Sequence, residues 1–442
     1  MRSMFVLVFV ALLATTASAQ WVDTTLTVAA GPWRFCYNSQ NDRVYCDCFS
    51  ADTVAVIDGS SNAVVRSLGV GRHPHDLCYN PTDNKVYCAN EDSASITVID
   101  GATDSIITTI QTGQYLWDLC YNSQNNKVYC TAYSADSVFV IGGASDSIVA
   151  RVPAGSEAYY LCYNRAGNKV YCANRTAHTV TVIDGASNAV VSTVSVGNYP
   201  AAFCSNPQSN KVYVANFDDG TATIIDGASN TVLATVGVGA GPYGFCYDSV
   251  DNRVFCANIS GGSVSVIDGT SNLVLGTVTV GAGPRGICYC AKHNRVFCAN
   301  SNGSSVSVID AGALSVDKTV PVAVDPEAVC YNPQDDKAYV ASFDAGTVTI
   351  IDAGTGIEET PDAKVLTPER GATIVRGVLL LAGTANHRPR ATTRLLDACG
   401  RNVMELLPGA NDVSRLSPGV YFIRAVSREL SAVGCQKIVL TW

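Results

Sequence analysis

The sequence predicts an all-β chain dominated by an eight-bladed β-propeller, and three observations predict it. A cysteine recurs every 42 residues, at Cys36, Cys78, Cys120, Cys162, Cys204, Cys246, Cys288 and Cys330, without an insertion. Periods of about 40–50 residues suit a four-stranded blade. Between turn residues, the apolar runs are short and β-branched, as strands require. One extra strand-like segment precedes the first repeat, and none follows the last, which is what a self-closing ring needs. Seven blades is the alternative, if a terminal unit stands apart.

The chain opens Met1-Arg2-Ser3, runs apolar from Met4 to Leu13, and reaches Ala17-Ser18-Ala19. A basic start, a short apolar stretch and an A-x-A end predict a signal peptide over residues 1–19. No later stretch reaches membrane-spanning length. The mature chain is expected to be secreted or held at the cell surface, with no transmembrane segment.

Asp23–Gly31 is the extra strand. Each repeat then reads as strands a to d. In the second, these are "DLCYN" from Asp76, "KVYCAN" from Lys85, "SITVID" from Ser95 and "SIITTIQTG" from Ser105. "SITVID" alternates polar and apolar, the pattern of a strand with one buried face. Asn84, Asn126, Asn168, Asn210, Asn252 and Asn294 end the a–b turn, where a left-handed backbone suits Asn. Asp-Gly after strand c, as at Asp100-Gly101, signals a hairpin. Its Asp is expected to bond its own turn rather than a metal. The N-terminal strand supplies the outer strand that the eighth blade lacks.

The propeller spans 20–357. A polar linker, 358–368, leads to short strands over 369–442, read as a small β-sandwich. The whole chain carries a net charge of −9, and the repeat region is its acidic part. An acidic propeller is a poor partner for phosphate backbones, so nucleic acid is not an expected partner.

Lys211 to Gly244, "KVYVANFDDGTATIIDGASNTVLATVGVGAGPYG", resembles the YVTN-type β-propeller repeat of surface-layer-like extracytoplasmic proteins. Six of the eight units depart from it, with Cys where that family usually has the second Val of its motif. Trp117-Asp118 is a WD dipeptide found in no other unit, so no WD40 repeat is read. In the tail, Gly400-Arg401, Leu416–Tyr421 and Lys437–Leu440 are similar to the C-terminal sorting domain of the type IX secretion pathway. That resemblance implies export machinery as a partner.

Eighteen cysteines in an exported chain raise the question of disulfides. Six units place a strand-b Cys ten residues after the strand-a Cys, as in Cys36/Cys46 and Cys78/Cys88. These could face each other in a hairpin, or serve as buried packing. Cys204/Val214 and Cys330/Val340 favour packing, since the second site accepts Val. Cys46-x-Cys48 and Cys288-x-Cys290 are read as isolated pairs without His partners. His73-x-His75 with Asp76 is read as a solvated loop. No metal or other cofactor is expected.

The residue three before each anchor Cys varies most in chemistry: Trp33, His75, Trp117, Tyr159, Ala201, Tyr243, Arg285 and Glu327. It lies in the d–a loops, around one mouth of the channel. Trp33, His75, Trp117, Tyr159, Tyr243, Arg285 and Glu327 are the candidate ligand-binding residues, for a glycan, peptide or surface protein. The bland alternative is that they plug the channel. No catalytic residue is assigned. The first functional reading is a non-catalytic binding module. Its rival is a lyase or hydrolase at the same mouth, which needs two of Glu327, Asp76, Asp118 and His75 to converge. A second ring, Arg43, Lys85, Lys127, Lys169, Lys211, Arg253, Arg295 and Lys337, follows the a–b turn. It is expected to solvate the opposite face and pair with local Asp.

Overall fold

The computed structural model describes residues 21–354 in full and, beyond them, the backbone of seven strands between Thr373 and Leu440. The expected signal peptide and linker lie outside the described residues. Residues 20–356 form one compact unit.

That unit is a ring of eight four-stranded antiparallel sheets. In the second blade, a is Pro74–Asn80, b is Lys85–Asn90, c is Ser95–Asp100 and d is Ser105–Gln111. The a strands pack on one another around the axis. The eighth blade takes its outer strand from the N terminus: Val22–Thr27 pairs antiparallel with Thr347–Asp352, Leu26 opposite Val348. Closure leaves no blade one strand short.

Strand c differs from its expected one-sided burial. Ser95 to Ile99 are buried on both faces, because each blade stacks on a neighbour on either side. The polar residues survive by pairing: Asn90 Nδ2 donates to Ser95 Oγ (3.2 Å) and Thr97 Oγ1 (3.0 Å).

Register decides the cysteine question. Cys36 lies opposite Tyr45, and Cys46 lies opposite Phe35, so the two thiols point to opposite faces of the sheet. Cys36 packs instead against the next blade, with Leu77, Val86 and Cys88. All sixteen cysteines of the described residues are free thiols. Burial pushes most of them well above the ordinary thiol range, which makes them inert.

The turns supply the contacts between blades. The a–b turn Asn residues are left-handed as expected, with φ of 51° at Asn84 and 48° at Asn126. In the c–d turn the left-handed residue is not the glycine but Asn62 (φ 54°) and its equivalents. Asp58 Oδ1 accepts the Ser61 N–H at 2.8 Å, so the Asp does serve its own turn. The glycine is needed for close approach. A Cβ on Gly101 would lie 2.6 Å from Asn38 Nδ2 and Asn84 Oδ1. Asn38 Nδ2 donates to Asn84 Oδ1 (3.0 Å) and to the Gly101 carbonyl (3.1 Å) of the next blade. This asparagine bond recurs around the ring. Where the first Asn is replaced, by Asp248 or Cys290, the following glycine becomes Ala311 or Ala353.

The basic ring reaches further than its own turn. Lys85 Nζ donates to Gly143 O (2.9 Å) and Asp146 Oδ2 (2.8 Å) of the next blade. Lys127 bonds Gly185 O, Ala186 O and Asn188 Oδ1 in the same way. It clamps neighbouring blades, and backbone carbonyls take much of the bonding expected of Asp.

Residues 373–440 form two antiparallel sheets. One has four strands, with Ala391–Asp397 between Asn402–Leu406 and Gly419–Ser427, and Cys435–Leu440 at its edge. The other has three.

Candidate functional site: a polar cavity in the propeller channel

Strand a begins at a proline in six of the eight blades and at Ala158 in the fourth, and in these seven its pairing with strand b slips just after that first residue. Such a bulge re-aims the side chains beside it. Here it affects the two residues after the proline. The first forms a collar at the mouth, and the second points at the axis.

The second series reads Arg34, Asp76, Asp118, Tyr160, Ala202, Gly244, Gly286 and Ala328. Seven of these, from seven different blades, line one cavity of about 220 Å³. Only the ring axis can be shared that way. Blades one to four contribute charge and hydroxyl, and blades five to eight contribute Ala or Gly. The small half leaves the room. It also brings strands close: a Cβ on Gly244 would lie 2.3 Å from Arg285 O, and one on Gly286 would lie 2.6 Å from Ala328 Cα.

Arg34 is always charged. Its backbone N–H donates to Asp47 Oδ1 at 2.7 Å. Asp47 is fully buried and stands where six other units have Ala and one has Thr. Burial holds its carboxyl well above the ordinary range. Asp76 Oδ2 accepts the Leu119 N–H (2.8 Å), and Asp118 Oδ2 accepts the Leu161 N–H (2.7 Å). Each carboxyl therefore ties its blade to the next. Burial raises both, Asp76 to about 6 and Asp118 well above its usual value, with the Asp76 charge adding to the second. Burial thus favours the protonated form of both carboxyls.

Tyr160 and Tyr243 meet across the cavity, hydroxyl to hydroxyl at 2.9 Å. Burial raises Tyr160. Burial also opposes ionisation of Tyr243, but Arg285 and Arg34 outweigh it and lower that phenol. Either hydroxyl can donate to the other.

The seven sequence-predicted residues form a collar that Tyr160 makes continuous. Trp33 packs on His75 (centroids 5.7 Å apart), His75 on Trp117 (3.6 Å) and Trp117 on Tyr159 (4.1 Å). Tyr159 meets Tyr160 (5.1 Å), and Tyr160 meets Tyr243 (6.4 Å). The Arg285 guanidinium lies 5.0 Å from Tyr243 and 4.6 Å from Trp33, and it ion-pairs with Glu327. Of the seven, Tyr243 and Arg285 line the cavity. Trp33, His75, Trp117, Tyr159 and Glu327 do not, and His75 and Glu327 are 3% and 6% exposed. Burial, and then Arg34, lowers His75 to about 3, so it is neutral. Burial raises Glu327 to about 7 against the pull of Arg285. His73 leaves this group, stacking on Phe49 at 4.4 Å with Nδ1 2.9 Å from Asp92.

Arg34, Asp47 and Tyr160 were missed by the sequence reading, and the site is built around them. The signal was available: position 34 of the repeat varies as widely as position 33.

Fold and site together define a closed β-propeller with a small polar cavity on its axis. No family model matches the chain, and no curated protein matches it. Among solved structures it is similar to hydrazine synthase of Kuenenia stuttgartiensis, at 16% identity and a TM-score of 0.53, over 75% of this chain and 98% of that one. At that identity the likeness shows the fold alone.

Proposed function

We propose that the chain is an exported, non-catalytic binding module that takes the end unit of a glycan into its channel cavity. The observation that carries this is the charged lining. Arg34 makes no salt bridge among the described residues, although it sits deep on the axis with two carboxyls and two phenols. An unpaired cation is an expensive filler for a channel, whereas it serves a polar ligand well. The volume, about 220 Å³, is below the about 300–1,000 Å³ of pockets for drug-sized ligands, so one terminal unit fits rather than an extended chain. Facing guanidinium, carboxyl and phenol groups supply both donors and acceptors to a ring of hydroxyls. The collar aromatics offer flat faces at the entrance. Export rests on the N-terminal pattern and on the resemblance of the tail to a sorting domain.

A glycan and peptide array probed with the mature chain tests the reading. Capture of glycans sharing one terminal unit is the expected result. Capture of peptides alone, or of nothing, refutes it. A second reading, acid–base catalysis, is favoured by the two buried carboxyls of Asp76 and Asp118, both raised above their usual range by burial and both lining the cavity. Release of that terminal unit during the same incubation would support it.

A further inference from the structure

We propose that Cys290, His293 and Asp336, on the face opposite the mouth, form a binding site for a zinc ion. Their ligating atoms lie within 4.8 Å of one another. The Cys290 reading as a cysteine without a His partner is thereby corrected. The partner is three residues on, in Cys290-Ala-Lys-His293, and the fold adds Asp336 from the next blade.

In six of the eight blade interfaces an Asn at the end of strand a donates to the left-handed residue of the next a–b turn. Asn80 to Asn126 (2.9 Å), Asn164 to Asn210 (2.8 Å) and Asn332 to Asp42 (2.9 Å) are examples. The residue three after that Asn often assists, as Asp83 does by accepting from Asn126 Nδ2 at 2.8 Å. Between blades seven and eight the donor and the assisting residue both change, and the left-handed position carries Asp, as Asp42 does in blade one. The Asn is Cys290, the assisting residue is His293, and the left-handed residue is Asp336, with φ 61°. Cys cannot replace the amide donor, so the asparagine bond is lost. Instead one thiol, one imidazole and one carboxylate converge, three ligand types that suit a borderline-soft cation.

The surroundings fit. Cys290 is fully buried, while His293 and Asp336 keep 21% and 16% of their side chains exposed, so an ion has a way in. Tyr331 donates its hydroxyl to Asp336 Oδ1 at 2.8 Å and fixes the carboxylate. Oδ2 then faces His293 Nε2 (2.7 Å) and Lys292 Nζ (2.8 Å). Such a partner behind a ligand orients it for the metal. Lys292 is 58% exposed and is free to swing aside. On binding, the Cys290 thiol releases its proton to solvent and the Sγ–zinc bond forms. Zinc–ligand distances of about 2.0–2.3 Å set tetrahedral ligand atoms about 3.3–3.7 Å apart, so Nε2 and Oδ2, now 2.7 Å apart, part slightly to admit the ion while Sγ stays within 4.8 Å of both. The fourth position is left to water. The site is separate from the channel cavity.

The test uses the full chain, with thiols reduced, stripped by chelator and titrated with zinc. Because other thiols bind zinc too, the reading is a difference between variants. Wild type is expected to bind one equivalent more tightly held zinc than His293→Ala or Cys290→Ser, with affinity at that site falling about ten-fold or more. Even a group one step behind a metal usually costs that much. Cys288→Ala, a neighbouring thiol outside the cluster, is expected to keep the extra equivalent. Cobalt should give thiolate charge-transfer absorption that Cys290→Ser diminishes. Circular dichroism confirms that each variant is folded. Equal zinc binding by wild type and both ligand variants would overturn the proposal. So would loss of the equivalent in Cys288→Ala to the same degree.

Discussion

Asn126→Ala perturbs one link of the asparagine belt and should cost more than a surface change. The side chain accepts from Asn80 Nδ2 (2.9 Å) and Tyr121 Oη (3.3 Å), and donates to Asp83 Oδ2 (2.8 Å). At about 1 kcal/mol net each, three lost bonds amount to about 3 kcal/mol. The backbone there has φ 48°, a conformation Asn adopts at lower cost than Ala, which adds about 1 kcal/mol. The expected loss is about 4 kcal/mol, a large share of the about 5–15 kcal/mol of a typical domain. Asn126→Gly keeps the conformational freedom, loses the same bonds and should fall about 1 kcal/mol short of that cost. Equilibrium urea unfolding of the full chain reads both. A loss below about 1 kcal/mol in Asn126→Ala would refute the view that the belt holds blades together.

Removing residues 21–30 takes the outer strand from the eighth blade, so the melting temperature should fall and the midpoint of the whole ring should move. Trp117→Ala should cost stability. Its ring packs on His75, Tyr159 and Tyr133, and three aromatic pairs at about 0.5–1.5 kcal/mol each give roughly 2–4 kcal/mol in a thermal melt. Asp76 predicts a pH effect. Burial raises its folded carboxyl from 3.8 to about 6, so its protonated form is favoured in the fold. That contribution is present at low pH and is lost as pH rises from about 4 through about 6. Asp76→Asn stays neutral, so melts of the two proteins should diverge across that window, the variant losing less.

The ring was legible in the sequence because every level repeats. The 42-residue spacing, the turn asparagines and the spare N-terminal strand all point to one closed architecture. The collar was legible for the same reason, since Trp33, His75 and Trp117 vary while the anchor cysteines three residues on, Cys36, Cys78 and Cys120, repeat. The cavity was not. A period-2 reading assumes regular pairing, whereas the bulge after each strand-a proline redirects the second residue on, here Arg34 or Asp76, to the axis. The cysteine faces were hidden by register: ten residues apart places Cys36 beside Cys46 in the hairpin but not on one face. The glycines misled differently. Gly101 looks like a residue chosen for its backbone, yet it is the neighbouring asparagine side chains that exclude a Cβ.

The central claim is that the axial cavity is a binding site organised by Arg34. It is tested most directly by equilibrium binding of the array-selected glycan to wild type and to Arg34→Gln, with unfolding midpoints measured alongside. The account predicts that binding to the variant weakens about ten-fold or more, as loss of a charged hydrogen-bond donor usually costs, while the midpoint holds or rises. Equal affinity in the two proteins, or a collapse of the midpoint that explains the lost binding, would contradict it.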